Sequence, residues 1–325
     1  MPDTPSDPGA SRPLLVKQMR AETPRVVTLT LVDPSGGPVA PWEPRAHLEL
    51  VLPSGAVRQY SLCGDDRDRT GYTVAVLHEP AGRGGSHEIH TTALVGRELT
   101  VRGPRNHFPL AEARRHFLVA GGIGITPILS MARALDRSGQ DWQALYAGHD
   151  GNMPFVNELR DLGGGRVTVV RTDREGRPDV AALVGRLPES TAVYCCGPPS
   201  LINDVRTAAE QAGKVLACRV ERFSVDPAAP VVDTGGDGPI EVELARSGTS
   251  FTVPADRSIL DAVRADRPDV PFSCEEGYCG SCETRVLDGT PDHRDEVLGA
   301  HEHRLGRSMM ICVSRATSKR LVLDL

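Results

Sequence analysis

Apolar and polar positions follow three successive rhythms along the chain. From Leu14 to Leu110 the apolar runs are short, as in VVTLTLV, HLELVL, YTVAVL and ELTVRGP, and Pro and Gly break them. Such turn-punctuated, β-rich spacing predicts an antiparallel barrel or sandwich. At Arg115 the rhythm changes. The strand HFLVA leads into the glycine turn GGIGITP and a helix over 128–136. It is followed by WQALYAG, a helix over 154–161, RVTVVRT, a helix over 179–187, AVYCCG, a helix over 199–212 and a last strand in VLACRVERF. Strands alternating with helices predict a parallel, doubly wound α/β sheet. The third rhythm begins after a stretch rich in Pro, Asp and Gly at 225–238. There IEVELARSG and TSFTVPA read as a hairpin, SILDAVRAD as a helix and the cysteine-rich segment as a loop. The expected division is a mobile tail over 1–13, a barrel over 14–110, an α/β domain over 111–224, a linker over 225–238 and a third domain over 239–325.

Composition narrows the class without naming an activity. The chain has 325 residues, 39% hydrophobic and 25% charged, which suits two or three globular domains. A formal charge of -6 argues against a nucleic-acid-binding surface. No uninterrupted apolar run has the length of a membrane span, and MPDTPSDPGASRP lacks the basic start and apolar core of a signal peptide. These features predict a cytoplasmic protein. Of the eight cysteines, Cys274, Cys279, Cys282 and Cys312 gather near the end, which in a reducing compartment suggests metal binding before disulfides.

The segment CEEGYCGSC, with Cys312 beyond it, has the C-x4-C-x2-C…C spacing of plant-type [2Fe-2S] centres. Gly277 and Gly280 let a tight loop turn its N–H groups toward sulfur. A structural zinc site is the competing reading, although zinc ligands more often come as two C-x2-C pairs. Arg58, Tyr60 and Ser61, with Gly84, Gly85 and Ser86 downstream, offer donors for a flavin ring edge and a phosphate nest. An exposed strand edge would contain the same residue types. The turn AGGIGITP departs from G-x-G-x-x-G but lies between a strand and a helix, where a dinucleotide pyrophosphate would bind. YCCGPP repeats that placement at a later strand end. Cys63, Cys195 and Cys218 read as packing, and His78, His87, His90, His107, His116 and His149 show no ligand spacing.

Taken together, RQYSLC, GRGGS, PRNHFPL, AGGIGITP, VYCCGPPSLI, CEEGYCGSCETRV and the closing DHRDEVLG, MMICVSRA and LVLDL resemble the phthalate dioxygenase reductase family, in that family's order. The resemblance implies an FMN-binding β-barrel, an NAD-binding α/β domain and an α+β, β-grasp ferredoxin domain in one chain. It implies that Arg58, Tyr60 and Ser61 contact FMN, with Gly84, Gly85 and Ser86 around its phosphate. Gly122, Gly124, Thr126, Cys196 and Gly197 would form the nicotinamide-nucleotide site, and Cys274, Cys279, Cys282 and Cys312 would ligate the cluster. Phe223, in VERF, resembles the aromatic that stacks on the flavin, where plain domain-boundary packing is the alternative. Ser61, Thr126, Cys196 and Phe223 are then the residues expected at the reacting centre, tuning the flavin and not acting as nucleophiles.

The activity implied is an electron-transfer reductase. A reduced nicotinamide gives up two electrons as hydride, a [2Fe-2S] cluster accepts one at a time, and a flavin bridges the mismatch. The expected partner is a terminal oxygenase, of Rieske or O-demethylase type, with a cytochrome P450 as runner-up and a redox sensor as the reading from another class. A monomer is expected. NADH is expected over NADPH because Asp150, after the second α/β strand, suits a ribose diol and repels a 2′-phosphate, unless Arg171 and Arg174 face the ribose. The segment from Pro239 onward has 11 basic and 15 acidic residues, so excess acid, including Glu275 and Glu276, is concentrated at the electron-exit end.

Overall fold

Alternating burial along the first strands is the physical origin of the first sheet: VVTLTLV buries its residues in alternation, apart from one adjacent buried pair. The computed structural model describes residues 11–106, 110, 112–213, 218–223, 238–272 and 274–325. Strands β1 (Ser11–Thr23), β2 (Val26–Val32), β3 (His47–Val51), β4 (Val57–Ser61), β5 (Tyr72–Leu77) and β6 (Glu98–Arg105) form one antiparallel sheet in the order β4-β3-β6-β1-β2-β5. The bridge between Leu62 and Val74 joins the two edge strands, so the sheet closes into a barrel. Leu14, Leu29, Leu31, Leu48, Leu50, Tyr72 and Val101 fill it. Helix α1 (Gly85–Thr91) lies between β5 and β6.

The tail is shorter than expected. Residues 11–13 belong to β1, with Ser11 opposite Arg102 and Pro13 opposite Thr100. Pro13 is tolerated because β1 pairs there with β6 alone, its pairing with β2 starting at Leu15, so the missing N–H breaks no second ladder. Residues 1–10 of the expected tail lie outside the described residues.

The α/β region contains β7 (Arg115–Gly121), α2 (Ile125–Arg137), β8 (Asp141–Gly148), α3 (Val156–Gly163), β9 (Val167–Arg171), α4 (Thr172–Glu175), α5 (Val180–Gly185), β10 (Thr191–Cys196), α6 (Pro199–Gln211) and β11 (Cys218–Glu221). All five strands are parallel, in the order β11-β10-β7-β8-β9. The central strands β7 and β10 are buried almost throughout, whereas the edges β9 and β11 are only partly buried, the gradient of a sheet covered on both faces. Helix α2 starts at Ile125, three residues before the expected start at 128. Pro127 stands in the first turn, where its N–H would have had no helical partner.

Contacts divide the chain after Glu221. The barrel and the α/β sheet therefore form one unit, where two domains divided at 110 were expected. Arg133 donates to Gly64 O at 2.6 Å and also to Cys63 O, the Arg45 amide donates to Ser130 Oγ at 3.2 Å, and Arg137 pairs with Asp66 at 2.6 Å. Val26, Cys63 and Ala75 of the barrel pack with Ile123 and Phe155.

The second unit, described here by itself, runs from Arg222. It contains β12 (Ile240–Leu244), β13 (Thr249–Val253), α7 (Ile259–Asp266), β14 (Glu283–Asp288), β15 (Pro291–Asp292), α8 (Ala300–Leu305), β16 (Ser308–Met310), β17 (Arg315–Ala316) and β18 (Arg320–Leu323). Its five-stranded sheet has the order β13-β12-β18-β14-β16, with β12 and β18 parallel. Ser258 caps α7 by accepting the Asp261 amide at 3.0 Å. Most of the expected linker, 225–237, lies outside the described residues. Among the described residues no helix is long and apolar enough to cross a membrane.

Candidate functional site: a sulfur-lined loop, a glycine-edged crevice and a basic barrel rim

The cysteine loop is built on backbone that side chains rarely permit. Glu275, Gly277 and Gly280 all have positive φ, at 56°, 75° and 80°. A Cβ on Gly277 would lie 2.7 Å from Val313 Cγ2, so glycine is needed for space as well as for conformation. The turn aims amides at sulfur: the Glu276 N–H donates to Cys274 Sγ at 3.3 Å and the Cys274 N–H to Cys279 Sγ at 3.4 Å. Cys274, Cys282 and Cys312 are buried, Cys279 is half-buried, and none of the eight cysteines forms a disulfide. Hydrogen bonds from the Cys279 and Cys312 thiols, helped by the Glu276 and Tyr278 amides, hold Cys274 far below the usual thiol range. The same contacts, with burial, push Cys279 and Cys312 up. Four crowded sulfurs facing inward N–H groups fit a polynuclear thiolate centre, and all four expected ligands come together.

Near it, His293, Asp295 and His303 bring three possible ligand atoms within 4.8 Å of one another. The two imidazoles stack at 4.4 Å between centroids and 11° between planes, so their in-plane lone pairs do not converge on one ion. Asp295 Oδ2 also accepts the Val297 and Leu298 amides. This cluster tethers the chain beside the cysteine loop, where the Glu296 N–H donates to Gly277 O.

At the barrel rim Arg58 lies against the Gly84–Gly85 turn. A Cβ on Gly85 would fall 2.6 Å from Arg58 Cγ and 2.7 Å from its Nε, and Gly84 has φ 81°. The guanidinium donates to Val57 O at 2.8 Å and to Arg83 O at 2.5 Å. It is thereby fixed beside the Gly84–Ser86 amides, an arrangement suited to a phosphate. Ser86 Oγ accepts the Glu79 amide at 3.0 Å. Burial pushes the Tyr60 phenol up, so its hydroxyl is neutral and can donate to a ring carbonyl.

The α/β sheet reverses its strand order between β7 and β10, and such switch points are where open α/β sheets bind ligands. Here glycine is obligatory. A Cβ on Gly124 would meet Cys196 O at 2.2 Å and Gly197 N at 2.7 Å, and one on Gly197 would meet Gly121 Cα at 2.9 Å. Gly124, Cys196 and Gly197 thus meet backbone to backbone, while Gly122, two residues before Gly124, has φ 52° and open space at its Cβ position. Thr126 stands apart in role. It is buried and its hydroxyl donates to Ile123 O at 3.1 Å, which closes the glycine turn.

The structure adds two residues that sequence reasoning missed. Glu221, the carboxylate of VERF, accepts from Ser61 Oγ at 3.5 Å, and burial raises its pKa against the pull of Arg45. Arg45 lies 3.9 Å from Glu221 and 5.4 Å over the Tyr194 ring. Both line a crevice with Pro127, Ile128, Met131, Cys195 and Cys196. Burial and the Glu221 charge push the Cys196 thiol well up, so it stays neutral. Ser61, Cys196 and Glu221 therefore meet between the barrel and the sheet. Arg45 has φ 75°, a conformation that arginine seldom signals in sequence. Phe223 belongs to the second unit and is 37% exposed.

Comparison with known proteins agrees with this geometry. The model for a 2Fe-2S iron-sulfur cluster binding domain matches residues 242–317. The chain is 38% identical over 322 residues to a vanillate O-demethylase oxidoreductase of a Pseudomonas strain, covering 96% of this chain and 99% of that one. The structure of phthalate dioxygenase reductase, a modular structure for electron transfer from pyridine nucleotides to [2Fe-2S], is 38% identical with a TM-score of 0.69. It covers 97% of this chain and 98% of its own. An intact type IV self-sufficient cytochrome P450 monooxygenase is 40% identical with a TM-score of 0.88, matching 97% of this chain and 41% of its own.

Proposed function

Since the chain belongs to the phthalate dioxygenase reductase family, whose members serve as reductase components of oxygenase systems, we propose that it is an FMN-dependent NAD(P)H oxidoreductase that supplies electrons to a Rieske-type oxygenase or O-demethylase. The observation that carries this reading is the presence in one chain of the four-sulfur loop and the glycine-edged switch point. A bound flavin would supply the step from a two-electron donor to a one-electron acceptor. The chain's own residues hold and orient the reactants. Arg58 with the Gly84, Gly85 and Ser86 amides would bind the phosphate. A fixed guanidinium beside one glycine turn suits a terminal phosphate, hence FMN over FAD.

Ser61, between Glu221 and the expected ring position, would hold a hydrogen-bonding proton where the nicotinamide meets the flavin. Gly122, Gly124, Cys196 and Gly197 would admit the coenzyme by leaving backbone uncovered at the end of the sheet. Phe223 is proposed to control coenzyme access. In the second unit Cys274, Cys279, Cys282 and Cys312 would ligate the cluster, whose added electron the loop amides stabilise. The match of the chain to part of a self-sufficient P450 favours a cytochrome P450 as the second candidate acceptor.

Purified protein is expected to show flavin and iron-sulfur absorbance together, and acid extraction is expected to release FMN. Release of FAD, or zinc without iron, would overturn the reading. Electron delivery is expected to depend on the exposed acid of the cysteine loop. Glu275 lies 3.8 Å from Arg264 and is half exposed, and Glu276 is exposed. The double variant Glu275→Gln/Glu276→Gln should slow acceptor reduction at low salt by about 2- to 10-fold and flatten its salt dependence, while NADH oxidation to a small dye is unchanged. An equally fast acceptor rate at low salt would place docking on another face.

A further inference from the structure

The turn that leads into β3 carries an arginine where the backbone favours glycine. The Ala46 amide donates to Glu43 O at 2.9 Å, which closes a four-residue turn over Glu43, Pro44, Arg45 and Ala46. Proline in second place and positive φ in third, here 75° at Arg45, is the pattern of a type II turn, whose third position favours glycine because a side chain is strained there. The turn is pinned to α2: Ser130 Oγ accepts the Arg45 amide at 3.2 Å and donates to Pro127 O at 2.8 Å. This strained turn delivers a guanidinium to the crevice. The Arg45 side chain is 3% exposed, and its Nη2 lies 3.9 Å from Glu221 Oε2. Ser61 Oγ lies 3.5 Å from Glu221 Oε1, so the two carboxylate oxygens face different partners. Strain kept at a buried, non-glycine position marks a side chain with a task.

We propose that Arg45 is a positioning residue for the reacting centre: it holds Glu221 as a carboxylate turned toward Ser61, so that the serine hydroxyl donates to Glu221 and leaves its oxygen lone pairs for the flavin site. The proposal rests on the reductase reading above. A serine hydroxyl has one proton to donate. An ionised Glu221 can only accept, and the serine proton then stays on the Ser61–Glu221 contact. A protonated Glu221 could donate to Ser61 instead, and the serine proton would turn away toward the ring. The charge on Glu221 therefore sets the direction of hydrogen bonding at the site. Burial works toward the protonated form, and Arg45 works toward the carboxylate. Also facing Arg45 are Cys196 and Tyr194 of β10 and the like charge of Arg219 on β11, while α2 contributes the uncharged Pro127, Ile128 and Met131. Removing the guanidinium takes away the charge that opposes burial and frees Glu221 to take up a proton.

The test uses the full-length protein containing flavin and cluster, with the visible spectrum checking that each variant retains both groups. Infrared difference spectra against Glu221→Gln at neutral pH report the Glu221 proton without turnover. The wild type should show a carboxylate band, Arg45→Met a protonated carboxyl band, and Arg45→Lys, which restores the charge, a carboxylate again. Flavin reduction by the reduced nicotinamide should slow about tenfold at neutral pH in Arg45→Met, the scale of one hydrogen bond to a charged group, and should recover as the pH rises and Glu221 ionises. Arg45→Gly relaxes the turn while removing the same charge, so it should fold and follow Arg45→Met in both band and rate. A wild type with a protonated Glu221, or an Arg45→Met protein with the wild-type band and pH profile, would overturn the proposal and leave the reductase reading intact. A wild type that oxidises no reduced nicotinamide would overturn both.

Discussion

Cys279→Ser should abolish reduction of the terminal acceptor and remove the iron-sulfur part of the visible spectrum, while the flavin band and NADH oxidation to a small dye persist. Cys279 is the half-buried member of the four, placed between Gly277 and Gly280, and its sulfur accepts the Cys274 amide at 3.4 Å. A serine oxygen is a harder and shorter ligand, and plant-type clusters are held by four thiolates. The expected loss is complete because the cluster is the exit for electrons. Dye reduction should survive because the barrel, the switch-point glycines and the Ser61–Glu221 contact all lie in the unit that ends at Glu221. The measurement is a paired assay on one preparation, with iron and acid-labile sulfide determined alongside. Loss of dye reduction in step with acceptor reduction would show that the two units do not work independently.

Gly124→Ala should damage coenzyme use more than any other single methyl added to this sheet. Its Cβ would lie 2.2 Å from the Cys196 carbonyl oxygen and 2.4 Å from the Cys196 carbonyl carbon, both backbone atoms of the neighbouring strand end. No rotamer change relieves such a clash, so β7 and β10 must part where the dinucleotide is expected to lie. Overpacking of this kind costs about 1–3 kcal/mol. A site opened by that much should raise KM for the nicotinamide coenzyme by roughly 10-fold or more. Gly165→Ala is the control, since nothing lies within 4 Å of its Cβ position. Equal coenzyme kinetics in both variants would remove the switch point from the nucleotide site.

Much of this was legible in the residues alone, and for one reason: the signals involved are local. VVTLTLV carries its burial in its near-alternation and TAVYCC in a short, continuous, mostly apolar run, so the strands and the change from barrel to α/β rhythm were readable within windows of a few residues. The C-x4-C-x2-C spacing likewise encodes its loop, because three ligands and two glycines sit within nine consecutive positions. The strand that begins at Ser11 was not legible, because a segment rich in Pro, Asp and Ser reads as a tail until Pro13 is seen to pair with β6 alone.

What the tertiary structure decided are encounters between residues far apart in the chain. Ser61 and Glu221 are 160 positions apart, and neither has a local signal for the other; the barrel must pack on the sheet before the hydroxyl has a carboxylate beside it. Asp150 and Arg171 are 21 apart, and the parallel register of β8 and β9, which places Arg171 level with Gly148, is what lets the guanidinium meet the carboxylate at 2.9 Å. In the same way Gly124 reads as a turn residue in sequence, and only the juxtaposition of β7 with β10 turns it into a point of backbone contact with Cys196. Periodicity along one segment specifies which face is buried, but the distance between charges on different segments depends on strand order and register, which no single segment contains.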